Sequence, residues 1–279
     1  MDRKLIFLDI DGTILAHGEE VHPAVLEGLR RARNKGHMVF ISTGRSHGSV
    51  PPEILDMETD GLICSAGSDI WFHGQNVYRQ SLSPELIEHT CQILKEMDAV
   101  YLLEGFDRIY VSEKAQRILL GKEVLPNDNP ELVRWKKYFR QKPNLYPIEE
   151  WTPDGEKVPK ITFMLFQKEQ VEKVKEIMSE HFHVVFFPAA YDDFWNGELI
   201  SRRADKGTAI QKAAELLHIG IEDTIAFGDS MNDYEMIEKA GCGVVMANGD
   251  EYLKTIADRI CESVQEDGVV RELERMHLI

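Results

Sequence analysis

Short, continuous runs of apolar residues recur toward both ends of the chain, and polar or glycine residues follow each of them. The runs cover residues 4–10, 37–43, 60–67, 223–229 and 241–247. Apolar runs without polar alternation are typical of strands buried on both faces of a parallel sheet. These segments therefore predict the central strands of such a sheet.

Segments with helical periodicity lie between the apolar runs. Residues 23–36 have Pro23 at their start and Gly36 at their end, which is the order that helices prefer. Residues 206–220 place apolar side chains on one stripe and also end in glycine. Because strand and helix alternate, the sequence predicts an α/β fold with a Rossmann-like, doubly wound parallel sheet.

The middle of the chain mixes helical and hairpin patterns instead. Its predicted helices and strands cover residues 83–97, 100–112, 131–142, 160–166, 168–182 and 183–187. Such a mixture is typical of an α+β domain. We therefore predict an α+β domain at residues 83–190, inserted into a core that consists of residues 1–82 and 191–279.

The charge balance restricts the possible partners. The chain of 279 residues has 32 Lys and Arg against 48 Asp and Glu, a net charge of 32 − 48 = −16. Such an acidic protein is disfavoured as a partner of nucleic acid or of an anionic membrane. No signal peptide or membrane-spanning run is visible, and the four cysteines are widely separated. We therefore expect a cytoplasmic protein with reduced thiols.

Two carboxylates end the first apolar run. Asp9 falls at the carboxyl end of a predicted strand, where ligands bind in α/β sheets, and Asp11 follows two residues later. Gly12 then allows a sharp turn. Two carboxylates this close repel each other unless a cation or a shared proton intervenes, and Mg²⁺ suits an oxygen-only site. The alternative is a turn whose acidic residues only cap the backbone that follows.

Two other segments offer groups for an anionic ligand. Thr43, Gly44 and Arg45 close the second apolar run and supply a hydroxyl, a flexible backbone and a guanidinium. Lys206 stands in the first turn of a predicted helix, where its charge opposes the helix dipole. The simpler interpretations are a helix N-cap for the first segment and a solvated surface lysine for the second.

A third acidic segment follows the apolar run that ends at residue 229. Asp229 ends this predicted strand, and Asp233 lies one helical turn later, so that both carboxylates can face one point. Asn232 between them offers a side-chain amide. With Asp9 and Asp11, these acids would form an oxygen-only metal site, whereas the alternative is a polar turn that caps a helix.

The order of these segments points to a family. D-x-D-G-T at 9–13, S-T-G-R at 42–45, K-G at 206–207 and G-D-S-x-N-D at 228–233 together resemble the haloacid dehalogenase superfamily. More specifically, they resemble its Cof-type phosphatases, in which a large C2-type cap is inserted after the third strand. The segment 263–270 is similar to the closing part of that family. The inserted domain matches in length and position, but no motif in it is recognisable.

The resemblance implies a role for each acid. Asp9 would be the nucleophile that forms an aspartyl-phosphate, and Asp11 would be the general acid and then the general base. The side chains of Asp9 and Asp229 and the backbone carbonyl of Asp11 would hold Mg²⁺, with Asp233 supporting them from nearby. The groups implied to bind the phosphoryl oxygens are Thr43, Gly44, Lys206, Asn232 and the N–H of Ile10. Arg45 would contact the substrate.

The implied activity is that of a Mg²⁺-dependent phosphatase of small phosphorylated metabolites, such as sugar phosphates or a phosphorylated cofactor. The alternatives are a sugar phosphomutase of the same fold and a regulatory protein that binds a phosphorylated ligand with little turnover. We expect a monomer or homodimer that binds neither nucleic acid nor membrane. One departure affects the substrate: Ala66 stands where relatives usually have Asn.

Overall fold

The structure is a computed structural model, and it describes residues 3–16, 19–121, 130–141, 144–187 and 194–279. The chain divides into two compact units. The first unit consists of Met1–Gln80 and Arg203–Ile279, and the second unit consists of Ser81–Arg202.

Strands and helices alternate in the first unit and are mixed in the second. The strands are β1 (Leu5–Leu8), β2 (Met38–Ser42), β3 (Gly61–Cys64), β4 (Asp69–Phe72), β5 (Gln75–Arg79), β6 (Val100–Glu104), β7 (Ile109–Val111), β8 (Leu145–Pro147), β9 (Lys160–Leu165), β10 (Phe182–Phe186), β11 (Trp195–Ser201), β12 (Thr224–Gly228), β13 (Cys242–Met246) and β14 (Arg259–Cys261). The α-helices are α1 (Pro23–Asn34), α2 (Pro52–Leu55), α3 (Pro84–Glu96), α4 (Glu113–Ala115), α5 (Pro130–Arg140), α6 (Lys168–Met178), α7 (Lys206–Leu216), α8 (Tyr234–Lys239), α9 (Glu251–Lys254) and α10 (Gly268–Arg275).

An eight-stranded sheet forms the centre of the first unit, in the order β14-β13-β12-β1-β2-β3-β4-β5. The pairings from β14 to β3 are parallel, and β4 and β5 add an antiparallel hairpin at one edge. Side chains of β1 alternate between two cores. Ile6 and Leu8 join the core that α1 and α10 cover, whereas Leu5 and Phe7 join the core that α7 and α8 cover. The predicted α/β class, with helices on both faces of a parallel sheet, is confirmed.

The second unit has a six-stranded sheet in the order β10-β11-β9-β6-β7-β8. Its pairings are antiparallel except for β7 with β8. Residues from α3 and α6 pack on one face of this sheet, and residues from α4 and α5 pack on the other. The apolar residues of β9 alternate between these two cores, as expected for a strand that is buried on both faces.

The borders of the second unit differ from the predicted ones. The predicted border after residue 190 lies outside the described residues. Beyond it, β11 hydrogen-bonds to both β9 and β10 and thus belongs to the second sheet. The unit therefore continues to Arg202, whereas the prediction assigned the chain from residue 191 onward to the core. The other border lies after Gln80, close to the predicted residue 82.

Two smaller observations complete the description of the fold. Among the described residues, no helix combines the length and the apolar character needed to cross a lipid bilayer. The cysteines are free thiols, and burial raises the pKa of Cys261 to about 12. Thiols with such a pKa are poor nucleophiles at neutral pH.

Candidate active site

The carboxyl ends of two neighbouring strands bring the predicted acids together. Asp9 follows β1 and Asp229 follows β12, and these strands pair in parallel with Leu8 opposite Phe227. The Asp9 N–H donates to the Phe227 carbonyl at 3.0 Å, which extends this pairing by one residue. One carboxylate oxygen from each of Asp9, Asp229 and Asp233 lies within 4.8 Å of the others. Residues more than two hundred positions apart therefore share one site.

Gly12 makes the turn between the first acids and the rest of the chain. Its φ is +90°, and a Cβ atom there would lie 2.2 Å from Oδ2 of Asp229. A side chain is thus excluded both by the backbone conformation and by the neighbouring carboxylate. The Ile10 carbonyl accepts hydrogen bonds from the N–H groups of Thr13, Ile14 and Leu15, which closes the turn. The D-x-D-G-T pattern therefore has a steric reason.

Lys206 is fully inside the protein rather than solvated. Its Nζ lies 2.6 Å from Oδ1 of Asp9 and 2.5 Å from Oδ1 of Asp233, and the residue is 1 % exposed. Lys206 is the first residue of α7, and a capping box of Asp205 and Thr208 fixes the N-terminus of this helix. Burial opposes the charge of Lys206, but the two carboxylates outweigh it and raise its pKa.

Asp233 also stabilises the loop after β12, in addition to its contact with Lys206. Its Oδ2 accepts hydrogen bonds from the N–H groups of Asp229 and Ser230, at 3.0 and 3.2 Å. One oxygen therefore shapes the loop after β12 and the other holds Lys206. This arrangement supports the prediction that Asp233 acts behind the metal ligands rather than as a principal ligand.

The site contains more negative than positive charge. Burial raises the pKa of Asp9 to about 8 despite the attraction of Lys206, and the carboxylates of Asp233 and Asp229 add to this rise. Burial, followed by repulsion from Asp233, raises the pKa of Asp229 to about 7. Burial is the main cause of both raised pKa values, and repulsion between the neighbouring carboxylates adds to it. A hard divalent cation with oxygen ligands, such as Mg²⁺, fits this donor set.

The loop after β2 is fixed against the end of β3. The Thr43 N–H donates to the Ile63 carbonyl at 2.8 Å, and the Thr43 hydroxyl accepts from the Arg45 N–H at 3.2 Å. In return, the N–H groups of Ser65 and Ala66 donate to the carbonyls of Arg45 and Thr43. Thr43 is buried, and Gly44 lies between it and Arg45 at the turn.

Arg45 contacts an acid of the site. Its Nε and one terminal nitrogen donate to the two carboxylate oxygens of Asp11, at 3.1 and 2.8 Å. This bidentate geometry orients the Asp11 carboxylate, which is 45 % exposed. Asn232 is half-buried, and its Oδ1 accepts from the Ser230 hydroxyl at 2.8 Å. The phosphate and substrate roles of Asn232 and Arg45 stay predictions.

Comparison with known proteins identifies the family. The sequence pattern of the haloacid dehalogenase-like hydrolases matches residues 6–273. The chain belongs to the haloacid dehalogenase-like hydrolases. The resemblance seen in its motifs is therefore confirmed.

Relatives match this hydrolase along its whole length. A Bacillus subtilis protein named 5-amino-6-(5-phospho-D-ribitylamino)uracil phosphatase YitU is 27% identical, over 97% of this chain and 96% of its own. Phosphatase YwpJ of the same organism is also 27% identical, over 98% and 99%. A solved haloacid dehalogenase-like hydrolase from B. subtilis superposes with a TM-score of 0.78 at 26% identity, over 97% and 99%. The predicted enzyme class, a HAD-type phosphohydrolase, is confirmed.

The departure at Ala66 has a conformational consequence in this hydrolase. Ser65, Ala66 and Gly67 have φ values of 50°, 52° and 102° in succession. Asn and Gly tolerate this left-handed region better than Ala does, so that Ala66 adds strain at the position where the family resemblance implies Asn. Gly67 is required, because a Cβ atom there would lie 2.2 Å from the Asp205 carbonyl oxygen. The strained segment thus packs against the residue that caps α7.

Sequence reasoning missed two residues that contact the site. The Thr13 hydroxyl donates to Oδ1 of Asp229 at 3.4 Å, and the Asn248 side chain donates to the Gly12 carbonyl at 2.8 Å. Thr13 belongs to the D-x-D-G-T motif, so its position could have suggested the contact. Asn248 follows β13, whose carboxyl end lies at the same edge of the sheet, and this placement was the available signal.

Proposed function

We propose that this hydrolase is a Mg²⁺-dependent phosphatase of small phosphorylated metabolites, which acts through an aspartyl-phosphate on Asp9. The main support is the cluster in which Lys206, Asp229 and Asp233 surround the Asp9 carboxylate at the carboxyl ends of parallel strands. Perturbed acids beside a buried lysine, in a chain of this family, are what phosphoryl transfer requires.

The residues present suit the proposed ion. The carboxylates of Asp9 and Asp229 and the backbone carbonyl of Asp11 would hold Mg²⁺, with Asp233 supporting them. When bound, the ion would neutralise the negative charge of the phosphoryl group and of the carboxylates. Lys206 contributes a fixed positive charge at the same place, which favours the ionised form of Asp9. An ionised Asp9 is the form that can act as a nucleophile.

The proposed reaction has two steps. First, an Asp9 carboxylate oxygen bonds to phosphorus while the bond from phosphorus to the leaving oxygen breaks, and Asp11 gives its proton to that oxygen. Second, Asp11 removes a proton from water, whose oxygen bonds to phosphorus while the bond to Asp9 breaks. The products are an alcohol and inorganic phosphate, and both carboxyl groups return to their starting states. In the structure Arg45 donates to both oxygens of the Asp11 carboxylate, which favours the ionised form, so this pair has to open before Asp11 carries the proton of the first step.

The remaining predicted contacts concern the phosphoryl oxygens. We propose that the Thr43 hydroxyl, the Gly44 and Ile10 N–H groups and the Asn232 amide donate to these oxygens. Preorganised donors of this kind typically contribute about 3–4 kcal/mol each to the stabilisation of a transition state. The rigid attachment of the Thr43 loop to β3 supports this role, because catalytic donors must be held in place before the substrate arrives.

For the substrate we propose a class of compounds rather than a single molecule. One relative is named for a phosphorylated ribitylamino-uracil, which has both a polyol and a ring, and this supports sugar phosphates or a phosphorylated cofactor as substrates. We propose that the second unit acts as the cap that selects the leaving group. Monomeric or dimeric state, cytoplasmic location and the lack of nucleic acid binding stay predictions.

Phosphate release from a panel of about 100 phosphorylated metabolites, with and without Mg²⁺, tests the proposal, and this range of leaving groups is needed because each contact discriminates weakly. We expect turnover that EDTA abolishes and that added Mg²⁺ restores. Full activity without metal would contradict the metal assignment. Release only after a bisphosphorylated sugar is added would indicate a mutase. No release from any compound would indicate a regulatory protein.

A further inference from the structure

The segment after β13, residues 247–250, hydrogen-bonds to the loops that carry the acids. Asn248 donates from Nδ2 to the Gly12 carbonyl at 2.8 Å, and its Oδ1 accepts from the Val264 N–H at 2.9 Å. Two residues later, the Asp250 N–H donates to the Asp229 carbonyl at 2.7 Å. This segment therefore holds the backbone of both strand-end loops, although it supplies no acid to the cluster.

The Gly12 peptide is a sensitive point of attachment. It directly follows Asp11, and its N–H donates to the Leu15 carbonyl at 2.9 Å. Its α-carbon packs so closely on Asp229 that no Cβ atom fits between them. The Gly12 carbonyl belongs to the next peptide bond, between Gly12 and Thr13, and a rotation there would shift the turn and the Thr13 hydroxyl that donates to Asp229. The contact from Asn248 opposes such a rotation.

Asn248 also connects two distant parts of the chain. Gly12 lies 236 positions before it and Val264 lies 16 positions after it. A side-chain amide can serve both at once, since its NH₂ group donates and its oxygen accepts. The bridge joins the turn of the acids to the short helical turn at Val264–Glu266, which precedes α10.

We propose that Asn248 is a positioning residue for the reaction, which fixes the Asp11–Gly12 turn against Asp229 through its bond to the Gly12 carbonyl. This inference rests on the proposed phosphatase function. Asn248 acts through the turn and does not touch the reacting atoms. Its removal should therefore lower kcat and weaken Mg²⁺ binding, because both depend on the distance between the Asp11 backbone and Asp229.

The test compares Asn248→Ala with a matched control, Asn144→Ala. Asn144 also donates its side-chain amide to a backbone carbonyl at 2.8 Å, that of Asp107 in the second unit. The measurements are kcat and KM with a panel substrate, Mg²⁺ binding to metal-free protein by calorimetry, and the Tm of each variant. We expect N248A to lower kcat at least about tenfold and to weaken Mg²⁺ binding severalfold, the size expected when one positioning hydrogen bond is lost.

A second variant separates the two halves of the bridge. Val264→Pro removes the N–H that donates to Asn248, at the first position of a helical turn that proline suits. The Val264 side chain also packs against the core, so the Tm of V264P is measured beside its kcat. Ser263 before it is already extended, with φ −67° and ψ 164°. We expect V264P to reduce kcat less than N248A does, and the double variant to be no slower than N248A.

The outcomes are distinguishable. If wild type releases no phosphate from the panel, the proposed function fails, whereas an active wild type with an equally active N248A contradicts the role of Asn248. A purely structural role would lower the Tm of N248A and N144A alike and leave kcat and Mg²⁺ binding unchanged, which would also overturn the proposal. Loss of kcat in N248A with unchanged Mg²⁺ affinity would overturn its link to the metal site.

Discussion

Each unit of the protein buries a lysine between two carboxylates, and the two clusters differ in their surroundings. In the second unit, Lys160 on β9 pairs with Glu104 on β6 and with Glu198 on β11, and it is 3 % exposed. The Thr162 hydroxyl also donates to Glu104. Burial opposes the charge of Lys160, but the two carboxylates outweigh it and raise its pKa. Neighbouring strands therefore supply the partners of these charges.

In the first unit the lysine also pairs with two carboxylates, but a third acid lies beside them. Asp229 lies with Asp9 and Asp233 around Lys206, and burial raises the pKa of Asp9 to about 8 and that of Asp229 to about 7. These acids stand in loops at the carboxyl ends of parallel strands. A buried ion pair alone does not identify a reactive site. The third acid, at an edge of the sheet where ligands bind in α/β folds, is what supports the proposed active site in the first unit.

Neutralising one acid in each cluster should give the largest difference in kcat between the two units. Asp9→Asn keeps the shape of the side chain but removes the nucleophile, so we expect kcat to fall by at least about 10³-fold, as when a reactive group is removed from other enzymes. Glu198→Gln is the matched change in the second unit, and we expect it to retain turnover of a small aryl phosphate. Steady-state kinetics on both folded variants decide the matter. Equal losses would show that the second cluster also takes part in the reaction.

Removing each lysine should separate activity from stability. We expect Lys206→Met to lower kcat per folded molecule about a hundredfold or more, because the charge proposed to act on the phosphoryl group is lost. It should also lower the free energy of unfolding, since Asp9 and Asp233 lose their cation. Lys160→Met should lower only the free energy of unfolding, by about 3–5 kcal/mol, since it leaves Glu104 and Glu198 buried without their cation. Denaturant titration and kcat per folded molecule measure the two effects. A stable but inactive K160M would contradict the assignment.

The buried acids of the first unit predict that the stability of the folded protein depends on pH and on bound metal. In metal-free protein, the folded-state pKa of Asp9 is about 8, against an ordinary value of 3.8. Between these values the folded state keeps a proton that the unfolded state has released, so its stability falls as pH rises from about 4 to 8. Asp229 adds the same trend up to about pH 7.

Thermal unfolding in EDTA across this pH range measures the effect. We expect Asp9→Asn to flatten the decline, because one titrating group is gone. Saturating Mg²⁺ should raise the Tm of wild type most at the alkaline end, where the carboxylates are ionised and repel one another without the ion. A metal-free Tm that rises with pH over this range would contradict the idea of surplus negative charge.

The strands that build the site could be predicted because their signals are local. Each is an apolar run that ends in the residue of interest, such as Asp9 or Asp229, and parallel strands place their carboxyl ends together. Lys206 was also visible, because a lysine in the first turn of a helix opposes the dipole. Position along the chain drew attention to these residues, and for Lys206 the family resemblance was also needed, because its position alone favoured a solvated surface lysine.

Features that depend on distant pairing could not be predicted. Strand β11 belongs to the second sheet only because it hydrogen-bonds to β9 and β10, and nothing in its own residues states this. The hairpin of β4 and β5 was missed for a different reason: it is local, but the residues of β5 are largely exposed and form no apolar run. The bidentate pair of Arg45 with Asp11 and the bond from Asn248 to Gly12 join loops far apart in sequence.

The smallest predicted effect concerns the strained segment beside the site. Ala66 is 4 % exposed and adopts φ 52°, ψ 38°, a conformation that disfavours L residues with a Cβ atom by roughly 1–2 kcal/mol. Ala66→Gly relieves this strain but loses a buried methyl group and gives the unfolded chain more freedom. We therefore expect a free energy of unfolding between unchanged and about 1 kcal/mol higher.

An alanine in regular helix provides the contrast. Ala213 is 2 % exposed inside α7, and Ala213→Gly should lower the free energy of unfolding by about 1 kcal/mol or more, because glycine is a poor helix residue and a methyl group is lost from the core. Denaturant titration of the two variants compares the positions directly. An equal loss in both would mean that the left-handed conformation of Ala66 imposes no strain, and that the departure from the usual Asn has no conformational cost.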